Sequence, residues 1–339
     1  MSKSSILILD FLAIGDLLFM TPLLNTIRKN FPAVEINISV LEKLIPIVKY
    51  NEDIDNIIPF DKKGKHKPVS GYLDYIKNLR NTNPEQVITL QDNPRLALLA
   101  FLSGAPKRIG FAGNKSRALF YSNPVKPHDE QHRVEYYLDI ARNLSEVDHL
   151  FNDGLKLNVS SKEKEWAAKK ISKLYLKSKS QKIVGIHIGG KWPTKRWPPE
   201  KFASLADKLK EDGIEVVLLG GPDDISDANL VEYNMQHNIL NLAGQTSLLE
   251  LAALLDHFDL FIGGDTGPMH MSVARGTKTL AIFGPTEQWR YRPYGDKHEI
   301  IKLDLFCQPC HQKSCPYNWE CMRYLQVKDV FEKSISIID

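Results

Sequence analysis

The alternation of short apolar runs with helical stretches is the feature that most constrains the fold of this chain. In the first half, the apolar runs predict strands at 5–9, 34–41, 54–60 and 86–90, with a short strand around Arg108. The stretches with helical spacing predict helices at 16–31, 71–80, 94–103 and 131–144. Strands that alternate with helices predict a mostly parallel sheet with helices on both faces.

A lysine-rich, helical stretch at 155–182 separates this pattern from a second one. Beyond it, strands are predicted at 183–188, 215–219, 239–242, 260–263 and 279–283, and helices at 199–211, 224–235, 247–257 and 268–275. We therefore predict an α/β protein with two doubly wound, Rossmann-like domains, 1–160 and 161–339, which face a cleft. Because ligands bind at the carboxyl ends of parallel strands, the loops after the strands should hold the binding residues.

The 339 residues carry a formal net charge of +3. So small a positive excess argues against nucleic acid as a partner and suits a small anionic ligand. Asp10 and Asp16 interrupt the apolar N-terminal stretch, which argues against a signal peptide, and no apolar run reaches the roughly 18 residues of a membrane span. We expect a cytoplasmic protein that can still touch a membrane. The basic loop at 61–68 is either a solvated face or a contact for an anionic acceptor or lipid headgroup.

One predicted strand ends in a cluster of polar groups, within the stretch FIGGDTGPMH at 261–270. Gly267 lets an anion approach the backbone at a helix start, where N–H groups attract phosphate. Thr266 adds a hydroxyl donor, Asp265 can accept hydrogen bonds from a ribose or sugar hydroxyl, and His270 can donate to a phosphate. The alternative is an Asp–Thr helix cap with a structural histidine. The residue types alone do not decide between the two.

Two further glycine-containing turns follow predicted strands of the second domain. In HIGGKWPTKRWPPE, at 187–200, Gly189 and Gly190 open the turn. Lys195 is placed to neutralise phosphate as a leaving group departs, although a basic pair on the surface near a helix start is the alternative. The second turn, LGGPDD at 219–224, resembles a nucleotide-side loop, but Gly-Gly turns are common.

In the first domain the notable loop is AIGDLL, at 13–18. Asp16 lies where a strand passes into a helix, and its carboxylate should face the cleft. A helix N-terminus favours the charged form, so Asp16 can accept a proton from an attacking sugar hydroxyl. Asp is also a preferred helix cap, worth roughly 1 kcal/mol, and one residue can serve both purposes.

The cysteines are clustered near the C-terminus, with the spacing C-x2-C-x4-C-x5-C. They are Cys307, Cys310, Cys315 and Cys321. A cytosolic chain keeps thiols reduced, so the cluster is either a zinc or iron–sulfur site or a thiol-rich surface loop. The sequence lacks GxxxxGK[ST], a GxGxxG after the first strand, and GxSxG. These absences disfavour P-loop kinases, nicotinamide enzymes and esterases.

Together these residues resemble glycosyltransferase family 9, the ADP-heptose:lipopolysaccharide heptosyltransferases. The similarity covers nearly the whole chain and lies in ILILDFLAIGDLLFMTPLLNTIRKNFPAVEI, HIGGKWPTKRWPPEKF and NLAGQTSLLELAALLDHFDLFIGGDTGPMHMSVARGTKTLAIFGPT, with PYG and the cysteine spacing. The resemblance implies a GT-B fold, with the acceptor bound at 1–160 and the donor at 161–339. It also implies an inverting, single-displacement transfer of heptose from ADP-heptose, or of a sugar from a similar nucleotide sugar, without a required cofactor or metal.

The resemblance implies a role for each candidate residue. Asp16 matches the proposed general base, and Lys195 matches the lysine near the donor phosphates, so these two are the predicted catalytic residues. Backbone amides of the DTGPMH loop would hold the pyrophosphate, and Asp223 or Asp224 is nearest to an acidic residue that meets the ribose. The predicted donor-binding residues are Gly189, Gly190, Lys195, Asp224, Asp265, Thr266, Gly267 and His270.

One segment departs from the family pattern. Many members carry a basic residue and small hydroxyl residues where Asp10, Phe11, Leu12 and Ala13 stand here. The expected acceptor is a lipopolysaccharide core or a related glycan, lipid-linked or oligosaccharide, met at the cytoplasmic face of the inner membrane. Three other functions remain open: a GT-B nucleotide-sugar epimerase, a transferase that uses another nucleotide sugar, and a non-catalytic sugar-binding protein.

Overall fold

Each half of the chain forms a six-stranded sheet whose neighbouring strands are all parallel in the described residues. The structure is a computed structural model that describes residues 4–11, 13–128, 130–144, 147–175 and 182–339. Leu12 and residues 176–181, which the sequence analysis includes in a loop and a helical stretch, lie outside the described residues. The chain divides into two units, Met1–Asn158 and Val159–Asp339, and each is described by itself.

The sheet of the first unit has the strand order β3-β2-β1-β4-β5-β6. The strands are β1 Ser5–Leu9, β2 Glu35–Leu41, β3 Asn56–Phe60, β4 Gln86–Thr89, β5 Lys107–Phe111 and β6 Asn123–Val125. Strand β1 is buried along its whole length, because SILIL presents aliphatic side chains to both faces of the sheet. The winding direction reverses between β1 and β4, and ligands bind at such a switch point in Rossmann-type sheets.

The helices of the first unit correct one prediction. They are α1 Ile14–Phe19, α2 Thr21–Asn30, α3 Ile45–Val48, α4 Val69–Asn81, α5 Pro94–Leu102, α6 Lys115–Ala118 and α7 Arg133–Arg142. The single helix predicted at 16–31 is wrong, because it begins at Ile14 and is split into α1 and α2. Pro22 causes the split, since its ring clashes with the carbonyl four residues earlier and it has no N–H to donate. The Thr21 hydroxyl donates to the Leu18 carbonyl at 2.7 Å instead.

The second unit repeats the topology of the first, because its order β12-β11-β10-β7-β8-β9 again reverses beside its first strand. The strands are β7 Ile183–His187, β8 Glu215–Leu219, β9 Leu240–Asn241, β10 Leu260–Gly264, β11 Thr279–Ile282 and β12 Glu299–Ile301. The helices are α8 Ser161–Tyr175, α9 Pro199–Glu211, α10 Ile225–Asn234, α11 Leu248–Leu255, α12 Gly267–Arg275, α13 Gln288–Tyr291, α14 Glu320–Arg323 and α15 Val327–Ile338. The switch point therefore lies between β7 and β10.

The two-domain α/β prediction is confirmed, and most predicted elements differ from the observed ones by one or two residues at their ends. The structure adds the edge strands β6 and β12 and the C-terminal helix α15, which were not predicted. Helix α15 buries Val330 and Ile337 in the core of the second unit. No helix in the described part of the chain is long and apolar enough to cross a membrane.

Candidate active site

In the second unit, the loops after β7 and β10 meet at the switch point of the sheet. These strands are neighbours, with His187 paired to Gly263, so the residues after each strand reach the same carboxyl edge. Gly189 and Gly190 follow β7, and Thr266 follows β10. A Cβ on Gly190 would stand 3.7 Å from Cγ2 of Thr266, so the two loops are in contact. The structure thus brings the two predicted donor-binding loops together.

Asp265 is the centre of a buried polar network at this edge. Its Oδ2 accepts a hydrogen bond from the Thr286 hydroxyl at 2.7 Å and pairs with Lys195 Nζ at 2.6 Å. His270 Nε2 lies 3.8 Å from Oδ1. Burial of Asp265 acts to raise its pKa, but His270 and the positive charge of Lys195 outweigh burial and lower the pKa to about 2. Asp265 is therefore an ionised carboxylate held by three side chains at physiological pH.

The Lys195 ammonium is held beside the start of α12 by further contacts. It reaches the backbone carbonyl of Asp265 at 3.3 Å, and it lies 4.9 Å from the centre of the Trp192 ring, a cation–π contact. Its side chain is 18% exposed, so a ligand can still reach it. This geometry differs from that of a freely solvated surface lysine.

Helix α12 begins without a side-chain cap. Thr266 occupies the cap position, but its hydroxyl donates to the Gly264 carbonyl at 3.3 Å and accepts nothing from the helix. The carboxylate of Asp265 is directed to Lys195 and Thr286. The alternative of an Asp–Thr cap is therefore wrong. Pro268 has no N–H, and the Met269 N–H donates to the Thr266 carbonyl at 3.1 Å, so the Gly267 N–H is the group at this helix start that can meet an anion.

Asp224 joins the two glycine turns of the second unit. Its Oδ2 accepts a hydrogen bond from the Gly221 N–H at 2.8 Å, and its Oδ1 lies 2.9 Å from Arg196 Nη2. Arg196 Nε donates to the Gly190 carbonyl at 2.7 Å. A Cβ on Gly189 would stand 2.0 Å from Asp224 Oδ2, so only glycine allows this approach. Both oxygens of Asp224 are engaged within the protein, and its contact to a ribose stays a prediction.

Two residues at this edge were not identified from the sequence. Thr286 follows β11 and was seen only as part of the family stretch that ends in GPT. His187 ends β7, and burial lowers its pKa to about 4, which Arg196 reinforces and Asp224 opposes. The imidazole is therefore neutral at physiological pH. The signal that was available for both residues is their position at the end of a buried strand.

In the first unit, Asp16 is the third residue of α1. One of its oxygens accepts a hydrogen bond from the Tyr137 hydroxyl at 2.9 Å and lies 3.7 Å from Arg133 Nε. The other oxygen faces the Ala13 N–H at 3.4 Å, as in a helix cap. The side chain is 19% exposed. The N-cap residue of α1 is therefore Ala13 and not Asp16, whose carboxylate reaches back to the Ala13 N–H and stays accessible.

Tyr137 and Arg133 of α7 hold Asp16 from one side. Burial raises the pKa of Tyr137 well above its ordinary value, and the negative charge of Asp16 raises it further. The phenol therefore stays protonated and donates to the carboxylate. The Arg133 guanidinium lies 4.4 Å from the centre of the Tyr136 ring and 4.9 Å from that of Tyr137. Sequence reasoning missed both partners, because they lie more than one hundred residues from Asp16.

An open pocket of about 440 Å³ lies at the carboxyl edge of the first sheet. Its lining residues are Phe11, Leu41, Phe60, Lys62, Gln91, Asn93, Pro94, Arg95 and Leu96. The rings of Phe11 and Phe60 are stacked with centroids 4.4 Å apart and form an aromatic wall. Lys62 and Arg95 are the charged residues of this lining, and no carboxylate belongs to it. The chemistry suits a ligand with apolar faces and a negative charge.

All four cysteines line a second, small pocket of about 80 Å³ in the second unit, together with Thr194 and Trp319 among others. They are free thiols. Burial raises the pKa of Cys321 to about 11, and the neighbouring thiols raise it as well. Among the described residues, no group of three or more His, Cys, Asp or Glu side chains is arranged to hold a metal ion.

A family of heptosyltransferases matches this chain in sequence. Residues 72–319 match the family described as Glycosyltransferase family 9 (heptosyltransferase). The chain is 30% identical over 288 residues to lipopolysaccharide heptosyltransferase 3 of Escherichia coli (strain K12), which covers 83% of this chain and 82% of that protein. It is 32% identical over 242 residues to lipooligosaccharide heptosyltransferase 2 of Campylobacter jejuni subsp. jejuni serotype O:6, which covers 69% and 73%.

The fold of this chain is also similar to that of solved glycosyltransferase structures. The glycosyl transferase family 9 structure from Veillonella parvula DSM 2008 has a TM-score of 0.89 at 26% identity and covers 99% of this chain and 97% of that one. The E. coli ADP-heptose lps heptosyltransferase II has a TM-score of 0.78 at 21% identity, with 98% of each chain covered. The architecture shared with these structures is the GT-B fold, so that expectation is confirmed.

Proposed function

This chain belongs to glycosyltransferase family 9, and from this premise we propose that it is an inverting heptosyltransferase that transfers heptose from ADP-heptose to the core of lipopolysaccharide. One observation carries the proposal: the uncapped start of α12 with the Lys195 ammonium held beside it by Asp265. The Gly267 N–H at a helix N-terminus and a fixed cation in one place suit a diphosphate. Relatives that match over most of the chain are named for heptose transfer to this class of acceptor.

We assign donor binding to residues 161–339. The diphosphate would accept a hydrogen bond from the Gly267 N–H, within reach of Lys195. As the bond between the anomeric carbon and the phosphate breaks, negative charge grows on the departing ADP, and Lys195 stabilises that charge. Asp265 acts through Lys195, because it fixes the position of the ammonium group. His270 supports Asp265 and is also near enough to the helix start to donate to a phosphate.

Residues 1–160 would bind the acceptor and supply the base. Asp16 accepts the proton of the acceptor hydroxyl while the oxygen of that hydroxyl bonds to the anomeric carbon and ADP leaves. A single displacement of this kind inverts the configuration at that carbon. Tyr137 donates to one carboxylate oxygen and so holds the base in one orientation. The acceptor hydroxyl can approach the part of the Asp16 carboxylate that is exposed.

The open pocket of the first unit is the proposed place for the acceptor sugars. Phe11 and Phe60 offer an aromatic wall, and Lys62 and Arg95 can pair with phosphate or carboxylate groups on the acceptor. These cations lie at other positions than the basic residue that many family members carry after the first strand. We place the reaction at the cytoplasmic face of the inner membrane, where a lipid-linked acceptor is carried.

The test is acceptor-dependent transfer. Purified protein is incubated with ADP-heptose, with and without a heptose-deficient core acceptor, and ADP and the acceptor mass are measured. We expect ADP only when acceptor is present, with the acceptor gaining one heptosyl residue. Conversion of ADP-heptose to another nucleotide sugar without acceptor would identify an epimerase instead. Turnover confined to UDP-, GDP- or dTDP-sugars would contradict the assigned donor.

A pair of lysine variants locates the donor in the same experiment. Lys195→Met should weaken ADP-heptose binding or slow ADP release, because the fixed cation at the diphosphate is lost. Lys191→Met is the matched control, since Lys191 lies in the same loop but is exposed. Equal kinetics of the two variants would contradict the role of Lys195.

A further inference from the structure

Large apolar side chains are exposed in the first unit on α4, on α5 and at Leu119, the residue after α6. The exposed fractions are 78% for Val69, 59% for Leu73, 39% for Leu98, 53% for Phe101 and 82% for Leu119. Val69 and Leu73 are four residues apart on α4, and Leu98 and Phe101 are three apart on α5, so each pair shares one side of its helix. Side chains of this size on an outer face suit an interaction surface.

These side chains lie on neighbouring elements. Helix α4 packs against α5, and near their ends Arg80 Nε donates to the Leu102 carbonyl at 2.7 Å. The rings of Phe101 and Phe120 are in contact edge to face, with centroids 6.1 Å apart. This contact brings Leu119, the residue before Phe120, next to α5. The apolar groups therefore belong to one side of the first unit.

The loop before α4 holds exposed lysines in a fixed shape. They are Lys62, Lys63, Lys65 and Lys67. The Asp61 carboxylate accepts hydrogen bonds from the backbone N–H groups of residues 63, 64 and 65 at 3.1, 2.8 and 2.8 Å. The His66 ring is buried and stacked on Phe60. A Cβ on Gly71 would stand 1.9 Å from the Lys65 carbonyl, so the loop packs directly on the first turn of α4.

This side of the first unit is basic, as is the lysine-rich stretch at 155–182. The loop 61–68 with α4 and α5 carries seven Lys or Arg side chains and two Asp, a formal charge of +5, whereas the whole chain has +3. A negatively charged partner would be drawn to this side of the first unit.

We propose that this outer α4–α5 surface, the five exposed apolar side chains with the lysine loop, docks the protein on an anionic phospholipid bilayer. Apolar groups next to lysines match the interfacial zone of a bilayer, where apolar side chains enter the acyl boundary and lysines meet anionic headgroups. The proposal rests on the proposed function, because a lipid-carried acceptor must be met at a bilayer. Lys62 and Arg95 line the acceptor pocket and belong to the same loop and helix, so docking brings the pocket to the headgroups.

The test is cosedimentation of the full-length protein with vesicles, without donor or acceptor. Vesicles of phosphatidylethanolamine with phosphatidylglycerol should bind the protein, and vesicles of phosphatidylcholine should bind it far less. The triple variant K63Q/K65Q/K67Q should lower the affinity at least about tenfold at low salt. The matched control, K162Q/K164Q/K169Q on α8, makes the same change in net charge and should bind like the wild type.

A second pair of variants tests the apolar part. L73S/L119S should lower the binding that remains at high salt, where charge attraction is screened. L230S/Y233S on α10 of the second unit removes comparably exposed side chains and should have no effect. Equal binding by each variant and its control, or a dimer in place of vesicle binding in sedimentation velocity, would overturn the proposal.

The two proposals can fail separately. A protein that binds vesicles but transfers no heptose would contradict the proposed function alone. A protein that transfers heptose to a delipidated core but does not bind anionic vesicles would contradict the docking surface alone.

Discussion

Replacing Lys195 by methionine should destabilise the second unit far more than the loss of a surface lysine. Asp265 is 8% exposed, and its Oδ2 has the ammonium at 2.6 Å and the Thr286 hydroxyl at 2.7 Å. Without the ammonium, a buried carboxylate keeps only neutral donors on that oxygen. Removing one partner of a buried ion pair costs about 3–5 kcal/mol, and because Lys195 is 18% exposed we expect about 3 kcal/mol.

The double variant separates this interaction from the loss of either side chain. Asp265→Asn removes the charge that Lys195 balances, so Lys195→Met with Asp265→Asn should cost less than the sum of the two single changes, by about 2 kcal/mol. Lys328→Met is the control, because Lys328 lies 3.6 Å from Glu332 and both side chains are mostly exposed. The control should change stability by less than about 1 kcal/mol.

Urea unfolding followed by tryptophan fluorescence is a suitable assay. All five tryptophans lie beyond residue 158, so the signal reports on the second unit. The reasoning is refuted if Lys195→Met costs no more than Lys328→Met. It is also refuted if the effects at Lys195 and Asp265 simply add.

Further predictions concern side chains close to the Lys195–Asp265 pair or to Asp16. Thr286→Val should lower the unfolding free energy of the second unit by about 1 kcal/mol and Thr286→Ser should restore it, because serine keeps the hydrogen bond to Asp265; the same urea assay decides. His187 has a pKa of about 4 in the folded chain, below its ordinary value of 6.5, so the unfolded chain binds a proton between these values that the folded chain does not. The contribution of neutral His187 to the free energy of unfolding is therefore complete above pH 6.5 and falls by about 3 kcal/mol towards pH 4. His187→Gln should flatten this part of the plot of unfolding free energy against pH. Tyr137→Phe should slow heptose transfer about tenfold without changing the ADP-heptose dissociation constant, because Asp16 loses the group that orients it; equal rates would contradict this role.

The sheet strands could be predicted from the sequence because each is a short apolar run with a turn signal after it. The bounds of the helix predicted at 16–31 were wrong, although Pro22 was a signal for the break between α1 and α2. Edge strands β6 and β12 have three residues each, too few for any period to be recognised. Helix α15 does carry helical spacing in VKDVFEKSISII, but the predicted elements ended at residue 283.

The candidate residues themselves could be identified because they follow strands, where parallel sheets bind ligands. Their partners could not. Lys195 contacts Asp265 only because β7 and β10 are neighbouring strands. The order of strands in a sheet cannot be predicted from local sequence patterns. The same holds for Tyr137, which reaches Asp16 from a helix far along the chain. Contacts between residues that are far apart in the sequence therefore determine the role of Asp265, which pairs with Lys195 and does not cap α12.

The central claim is that Asp16 acts as the base while the loops of the second unit bind the donor. Single-turnover heptose transfer with Asp16→Asn tests this claim most directly. The enzyme is mixed in excess with ADP-heptose and core acceptor, and the dissociation constant of ADP-heptose is measured on the same variant. We predict a transfer rate at least about 100-fold lower with donor affinity unchanged, since asparagine keeps the shape but accepts no proton. A variant that transfers heptose at the wild-type rate would show that Asp16 only supports the start of α1 and would contradict the account.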